Sequence, residues 1–132
     1  MCPTVDLSTP HGTMQPIGPY SHIAKVGAFI AIGGTAGVDP KTGDLAGPDV
    51  ASQTRQILEM FETMLTSVGS DLDHIIHINV FLADMGDFEA MNAAYVEKLG
   101  DRRPARTAIA VSGLPKPGAL VTMNLTATAK ES

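Results

Sequence analysis

Residues 75–82, Ile-Ile-His-Ile-Asn-Val-Phe-Leu, put apolar side chains on both faces of any extended segment they form, because successive strand residues point in opposite directions. Such a strand belongs in the middle of a sheet. A second strand reads from 119 to 129, where Val121, Met123, Leu125 and Ala127 point one way and Thr122, Asn124, Thr126 and Thr128 the other. The second set is polar yet uncharged, which predicts a face that is wet or turned toward another subunit.

Two helices interrupt the strands. Ile57, Phe61, Met64, Leu65 and Val68 recur at helical spacing until Gly69, and Gly47-Pro48-Asp49 puts proline at the first helical position with an acid beside it. Phe88, Met91, Tyr95 and Leu99 give a second helix from about Asp87 to Leu99. The first twenty residues, rich in Pro, Gly, Ser and Thr, are expected to run irregularly. Strands follow at about 21–26 and 28–33, with a short third one after the turn Asp39-Pro40-Lys41-Thr42-Gly43. A strand at 105–112 precedes the turn-rich Gly113–Gly118 segment. The order is that of one α+β domain over residues 1–132, with both helices collected on one sheet face. The opposite face then needs cover, so oligomerisation is expected on physical grounds alone.

The net charge of -5 argues against a phosphate-reading surface, since nucleic-acid binders cluster Lys and Arg to displace counterions. Arg102, Arg103 and Arg106 form the densest basic group, too short to coat a duplex but adequate for one small anion. The single cysteine, Cys2, excludes an internal disulfide, and no Cys/His spacing resembles a zinc site. Gly33-Gly34 with Gly37 is no phosphate loop, because no helix starts there and no Gly-Lys-Ser/Thr follows. No segment has the length of a bilayer span or the pattern of a secretory signal, so the expectation is a cytoplasmic protein without a membrane role.

Five segments carry a family resemblance: Ile17-Gly18-Pro19-Tyr20-Ser21, Asp39-Pro40-Lys41-Thr42-Gly43, Asp87-Phe88 with Asn92 and Tyr95, Pro104-Ala105-Arg106-Thr107, and Leu114-Pro115-Lys116. In that order and approximate spacing they resemble a divergent member of the reactive intermediate deaminase (RidA/YjgF-type, endoribonuclease L-PSP-like) family. The resemblance implies a single six-stranded mixed sheet with two helices on one face, a chorismate-mutase-like fold. It further implies a homotrimer with clefts between neighbouring subunits. The implied activity is hydrolysis of small carboxylated enamines or imines to keto acids and ammonia, without metal or organic cofactor.

Arg106 falls where the family's carboxylate-binding arginine lies, and a guanidinium matches a carboxylate with a planar fork of donors. Tyr20 follows a Gly-Pro pair, and its ring either walls a cleft or closes a subunit interface. Asn92 aligns with a family asparagine, although a polar residue there more commonly ties a loop backbone together. The departures weigh more. The family's water-positioning glutamate is replaced by Thr122 and a second glutamate by Asn124, and neither is a base near neutral pH. The usual Ser-Gly-Gln after the second strand reads Gly33-Gly34-Thr35, and a common cysteine reads Ala108, so the pocket is expected to differ in shape. Thr122 and Asn124 are thus candidates to order water, with Arg106, Tyr20, Gly33, Gly34, Asn92 and Ala108 as candidates to bind a carboxylated enamine, imine or keto acid. The rival reading is a trimeric module that holds small carboxylates without turnover. His77 reads as a hydrogen-bonded sheet residue, and His22 as a solvated one.

Overall fold

The computed structural model describes residues 4–130; Cys2 lies outside the described residues. Strands β1 (Asp6–Ser8), β2 (Ile23–Val26), β3 (Phe29–Ala36), β4 (Ile75–Leu82), β5 (Ala105–Ala110) and β6 (Val121–Thr128) form one sheet. Helices α1 (Val50–Ser67) and α2 (Phe88–Leu99) complete the domain. The sheet order is β1-β2-β3-β6-β4-β5, antiparallel except for the parallel β4–β5 pair, so the sheet is mixed. The strand apolar on both faces, β4, sits between β6 and β5 as its pattern requires.

Both helices cover one face. Ile30 and Ile32 of β3, Ile78, Val80 and Leu82 of β4, and Val121, Met123 and Leu125 of β6 meet Ile57, Phe61, Met64 and Leu65 of α1 and Met91 and Leu99 of α2 in one core. Burying this many aliphatic side chains is the main term holding the layers together, at about 1.5–3 kcal/mol for each fully buried one. The other face carries no helix. There Asn79 donates from Nδ2 to Oδ1 of the directly opposed Asn124 at 2.8 Å, and His77 Nε2 lies 3.2 Å from Thr107 Oγ1. Phe29 and Ile109 stand on that face about half exposed, so the uncovered layer is neither fully polar nor buried.

Three boundaries differ from expectation, each for a local reason. The short third strand does not form: after the Asp39–Gly43 turn only a single Val38–Leu45 bridge appears, because Gly47-Pro48 turns the chain into α1 within two residues. The sixth strand is instead β1, a polar three-residue edge segment too short to display a period, paired with β2 inside the stretch expected to be irregular. Pro48 is not the first helical residue. Extended Asp49 caps α1 by accepting from Ser52 N at 3.2 Å, which moves the start to Val50. At the other end Gly69 takes φ +77°, and α1 stops where the sequence places the break.

Candidate functional site

The sequence candidates fall into two groups at different places on the sheet. The first surrounds a cavity of about 730 Å³, walled by Gly33, Gly34 and Ala36 of β3, Thr122 of β6, and Tyr20 from the loop before β2. Pro115, Lys116 and Pro117 close its far side. Its bare floor comes from a β-bulge: between the paired positions Ile32/Leu125 and Thr35/Met123, β3 advances three residues while β6 advances two. Gly33 and Gly34 occupy that bulge with ordinary negative φ. A Cβ on Gly33 would meet Ser21 O and Tyr20 Cδ2 at 3.8 Å, and one on Gly34 would meet nothing within 4 Å. The backbone therefore does not demand glycine at either position, and what the two glycines contribute is room.

Tyr20 is 41% exposed and stands edge-on to the His22 ring at 5.9 Å between centroids. His22 is buried rather than solvated. It is 1% exposed, its Nε2 lies 2.7 Å from the Met14 carbonyl, and its Nδ1 has no partner. The alternation from Ile23 onward places His22 at the turn into β2, where the ring packs under the 9–22 loop instead of facing water. No residue lining the cavity is Asp or Glu. Thr122 brings a hydroxyl to its wall, whereas Asn124, two residues along the same face, pairs with Asn79 and is not part of the lining.

The second group lies on the edge strand β5, away from the central strands β3 and β6. Arg106 pairs in register with fully buried Ile78, which turns its side chain toward the helical layer. Its Nη1 donates to Asn92 Oδ1 at 2.7 Å, so Asn92 holds the guanidinium and not a loop backbone. The guanidinium carbon stands 4.9 Å from the Tyr95 ring centroid and 5.7 Å from that of Phe88. Among the described residues no carboxylate lies within ion-pair distance of it, whereas Arg55, Lys98 and Arg102 all have acidic partners. Ala108 follows two residues on and packs against the core edge. Burial pushes the Tyr95 hydroxyl above the ordinary phenol value, with Arg106 and Arg103 pulling the other way. That hydroxyl is buried without a partner.

Arg106, Asn92 and Ala108 line no part of the cavity that holds Tyr20, Gly33, Gly34 and Thr122. Within one chain the candidates thus form two separate groups. Phe88 and Tyr95 become neighbours of Arg106 only in the folded chain; the signal for them in the sequence is their spacing with Asn92, at i, i+4 and i+7 on one face of α2. Lys116 likewise emerges as a cavity residue only from the folded chain.

The family model described as Endoribonuclease L-PSP matches residues 11–129. A RutC family protein of Pyrococcus horikoshii is 46% identical over 102 residues, 77% of this chain and 81% of that one. A protein named 3-aminoacrylate deaminase RutC from Acinetobacter baylyi is 33% identical over 116 residues, 88% of this chain and 91% of its own length. The human 2-iminobutanoate/2-iminopropanoate deaminase is 37% identical over 100 residues, covering 76% and 73% of the two chains. The crystal structure of RidA from an Antarctic Psychrobacter superposes with a TM-score of 0.88 at 29% identity, covering 93% of this chain and 98% of that one. With the sheet order, the helical layer and nearly the whole length in agreement, this chain is a member of the reactive intermediate deaminase family.

Proposed function

We propose that this protein hydrolyses small carboxylated enamines or imines to keto acids and ammonia, at sites where the Arg106 half-site of one protomer meets the Tyr20–Gly33–Thr122 cavity of the next. The observation that carries this reading is the half-buried Arg106 guanidinium, held in place by Asn92 yet lacking an acidic partner among the described residues. A cation so placed is ready for a carboxylate from outside the chain. Relatives named as deaminases of 3-aminoacrylate and 2-iminobutanoate support the same class of substrate. Water adds to the C=N carbon of the imine, the nitrogen takes a proton, and ammonia leaves as the carbonyl forms. Thr122 orders that water, while Asn124, tied to Asn79 outside the cavity, does not reach it; holding the reactants in line is itself a substantial part of lowering such a barrier.

A homotrimer is part of this proposal. The helix-free face, with Phe29 and Ile109 about half exposed, supports a partner surface, and the separation of the two half-sites within one chain supports a site shared by two copies. A scattering mass of three chains is expected, and a monomer would remove the shared site. Although the family model is described as an endoribonuclease, a net charge of -5 and an isolated basic cluster weigh against RNA as the ligand. Among the described residues no helix is long and apolar enough to cross a membrane.

One observation favours a second reading, a trimeric module that binds keto acids without turnover: the cavity lining contains no carboxylate to act as a base. Ammonia release from freshly generated 2-imino acids separates the two. Turnover above the spontaneous rate that Arg106→Ala abolishes is expected for the enzyme. Saturable keto-acid binding without turnover would establish the module instead.

A further inference from the structure

Resting on the carboxylate-binding reading of Arg106, we infer that Tyr95 and Phe88 are positioning residues whose aromatic rings hold the guanidinium in its binding orientation. Phe88, Asn92 and Tyr95 stand on one face of α2, and all three meet the same side chain. Asn92 takes one N–H at 2.7 Å, while the rings, at 4.9 and 5.7 Å, offer the negative faces of their π systems to the cation. Among the described residues the guanidinium makes no other hydrogen bond, so its remaining donors stay available for the ligand. A carboxylate at this edge of the sheet would otherwise be the usual way to fix an arginine, and it would compete with the substrate for the same charge. Neutral rings orient the cation and leave that charge uncompensated.

Tyr95 carries most of this role, being the nearer ring and only 4% exposed. The ring, and not the hydroxyl, is what acts, because the hydroxyl is buried without a partner. A stiff aromatic wall also lowers the conformational entropy that a long side chain loses on binding, which is the general advantage of preorganisation.

The test measures dissociation constants for pyruvate and for its uncharged amide, pyruvamide, in the intact protein and in Arg106→Ala, Tyr95→Leu, Phe88→Leu and Tyr95→Phe, with thermal unfolding as a fold control. Tyr95→Leu is expected to weaken pyruvate roughly tenfold, and Phe88→Leu by less, in line with a partly desolvated cation–π contact. Pyruvamide affinity is expected to stay the same, and Tyr95→Phe to restore pyruvate binding. Equal losses for both ligands would mean general disruption of the site and overturn the inference. A Tyr95→Phe loss as large as that of Tyr95→Leu would assign the role to the hydroxyl and overturn it too, as would unchanged pyruvate binding in both leucine variants. Should Tyr95→Leu fail to fold, half-buried Phe88 supplies the same comparison. If the intact protein binds pyruvate no better than Arg106→Ala, it is the carboxylate reading itself that has failed, a result distinct from all of these.

Discussion

The two half-sites are built in opposite ways. Arg106 is closely flanked: one face of α2 supplies an amide and two rings to a single guanidinium, and Ile78 and Ala108 stand beside it on the same face. Around Thr122 the wall is stripped, with two glycines where side chains would fit, a cavity of about 730 Å³ and no acidic group in its lining. In the proposed reading the recognition part is charged, and the part left to the chemistry is roomy and lacks a carboxylate, with the buried His22 imidazole on its lining. If the proposed function holds, this contrast predicts that binding is strong relative to turnover.

The largest expected effect comes from putting a carboxylate into the stripped half. Thr122→Glu, at the position where the resemblance places the family's glutamate, is expected to raise imine hydrolysis on the order of a hundredfold, the low end of what a positioned general base supplies. Keto-acid affinity should change little, since Arg106 lies in the other half-site. The check is initial-rate ammonia release beside a binding isotherm. A correctly folded Thr122→Glu protein with unchanged turnover would break the contrast, because the missing carboxylate would then not be what limits the rate.

That contrast was only half legible in the sequence. Arg106 and Thr122 stand in segments with strong local character, a Pro-Ala-Arg strand entry and an alternating strand, so their places in β5 and β6 follow from the pattern. What periodicity cannot express is which side chains converge across elements far apart in sequence. The ring of Tyr95 reads as one more apolar position of α2, and its distance to Arg106 exists only once β5 lies beside that helix. His22 was misread for a similar reason: its burial depends on the loop that carries Met14 folding back over it, which no alternation reports. Strand β1 escaped because three polar residues have no period, and the bulge at Gly33-Gly34 because a two-glycine step looks like a break rather than a kink in a continuing strand. Half of the site, in this proposal, belongs to another copy, and no single chain's sequence displays that pairing.

A smaller effect tests how firmly the open half is held. Gln53, fully buried on α1, donates to the Gly47 and Gly118 carbonyls at 3.0 and 3.3 Å and accepts from Leu120 N at 2.7 Å. One side chain thereby fastens the loop that carries Lys116 to the helical layer. Gln53→Leu keeps the approximate volume but leaves those backbone groups without partners, at a cost of about 2 kcal/mol in unfolding free energy. Chemical denaturation measures the loss, and faster amide exchange at Leu120 should accompany it. Pyruvate affinity in Gln53→Leu should fall less than in Arg106→Ala; equal losses would mean that the two half-sites are not separable in the way the contrast requires.

The smallest effect concerns the packed half and has a sign that pH reveals. The Tyr95 hydroxyl is buried without a partner, so Tyr95→Phe removes a desolvated polar group and is expected to stabilise the fold by about 1 kcal/mol at neutral pH. Burial raises the folded-state pKa of this phenol above its ordinary 10.0, against the opposing pull of Arg106 and Arg103. An acid whose pKa is raised by folding contributes stability that is fully present below the unfolded value and is lost as pH climbs through the folded one. The intact protein should therefore weaken above about pH 10, where the unfolded chain releases a proton that the folded one retains. Lys98 has the same sign, because its hydrogen bond to Glu62 raises its pKa from 10.5, so part of the alkaline fall will persist in Tyr95→Phe and should disappear only when Lys98→Met is added. Unfolding free energies measured between pH 8 and pH 11 make the comparison. An alkaline slope identical in the intact protein and Tyr95→Phe would mean that the hydroxyl meets water, and that the packing around Arg106 is looser than the two rings imply.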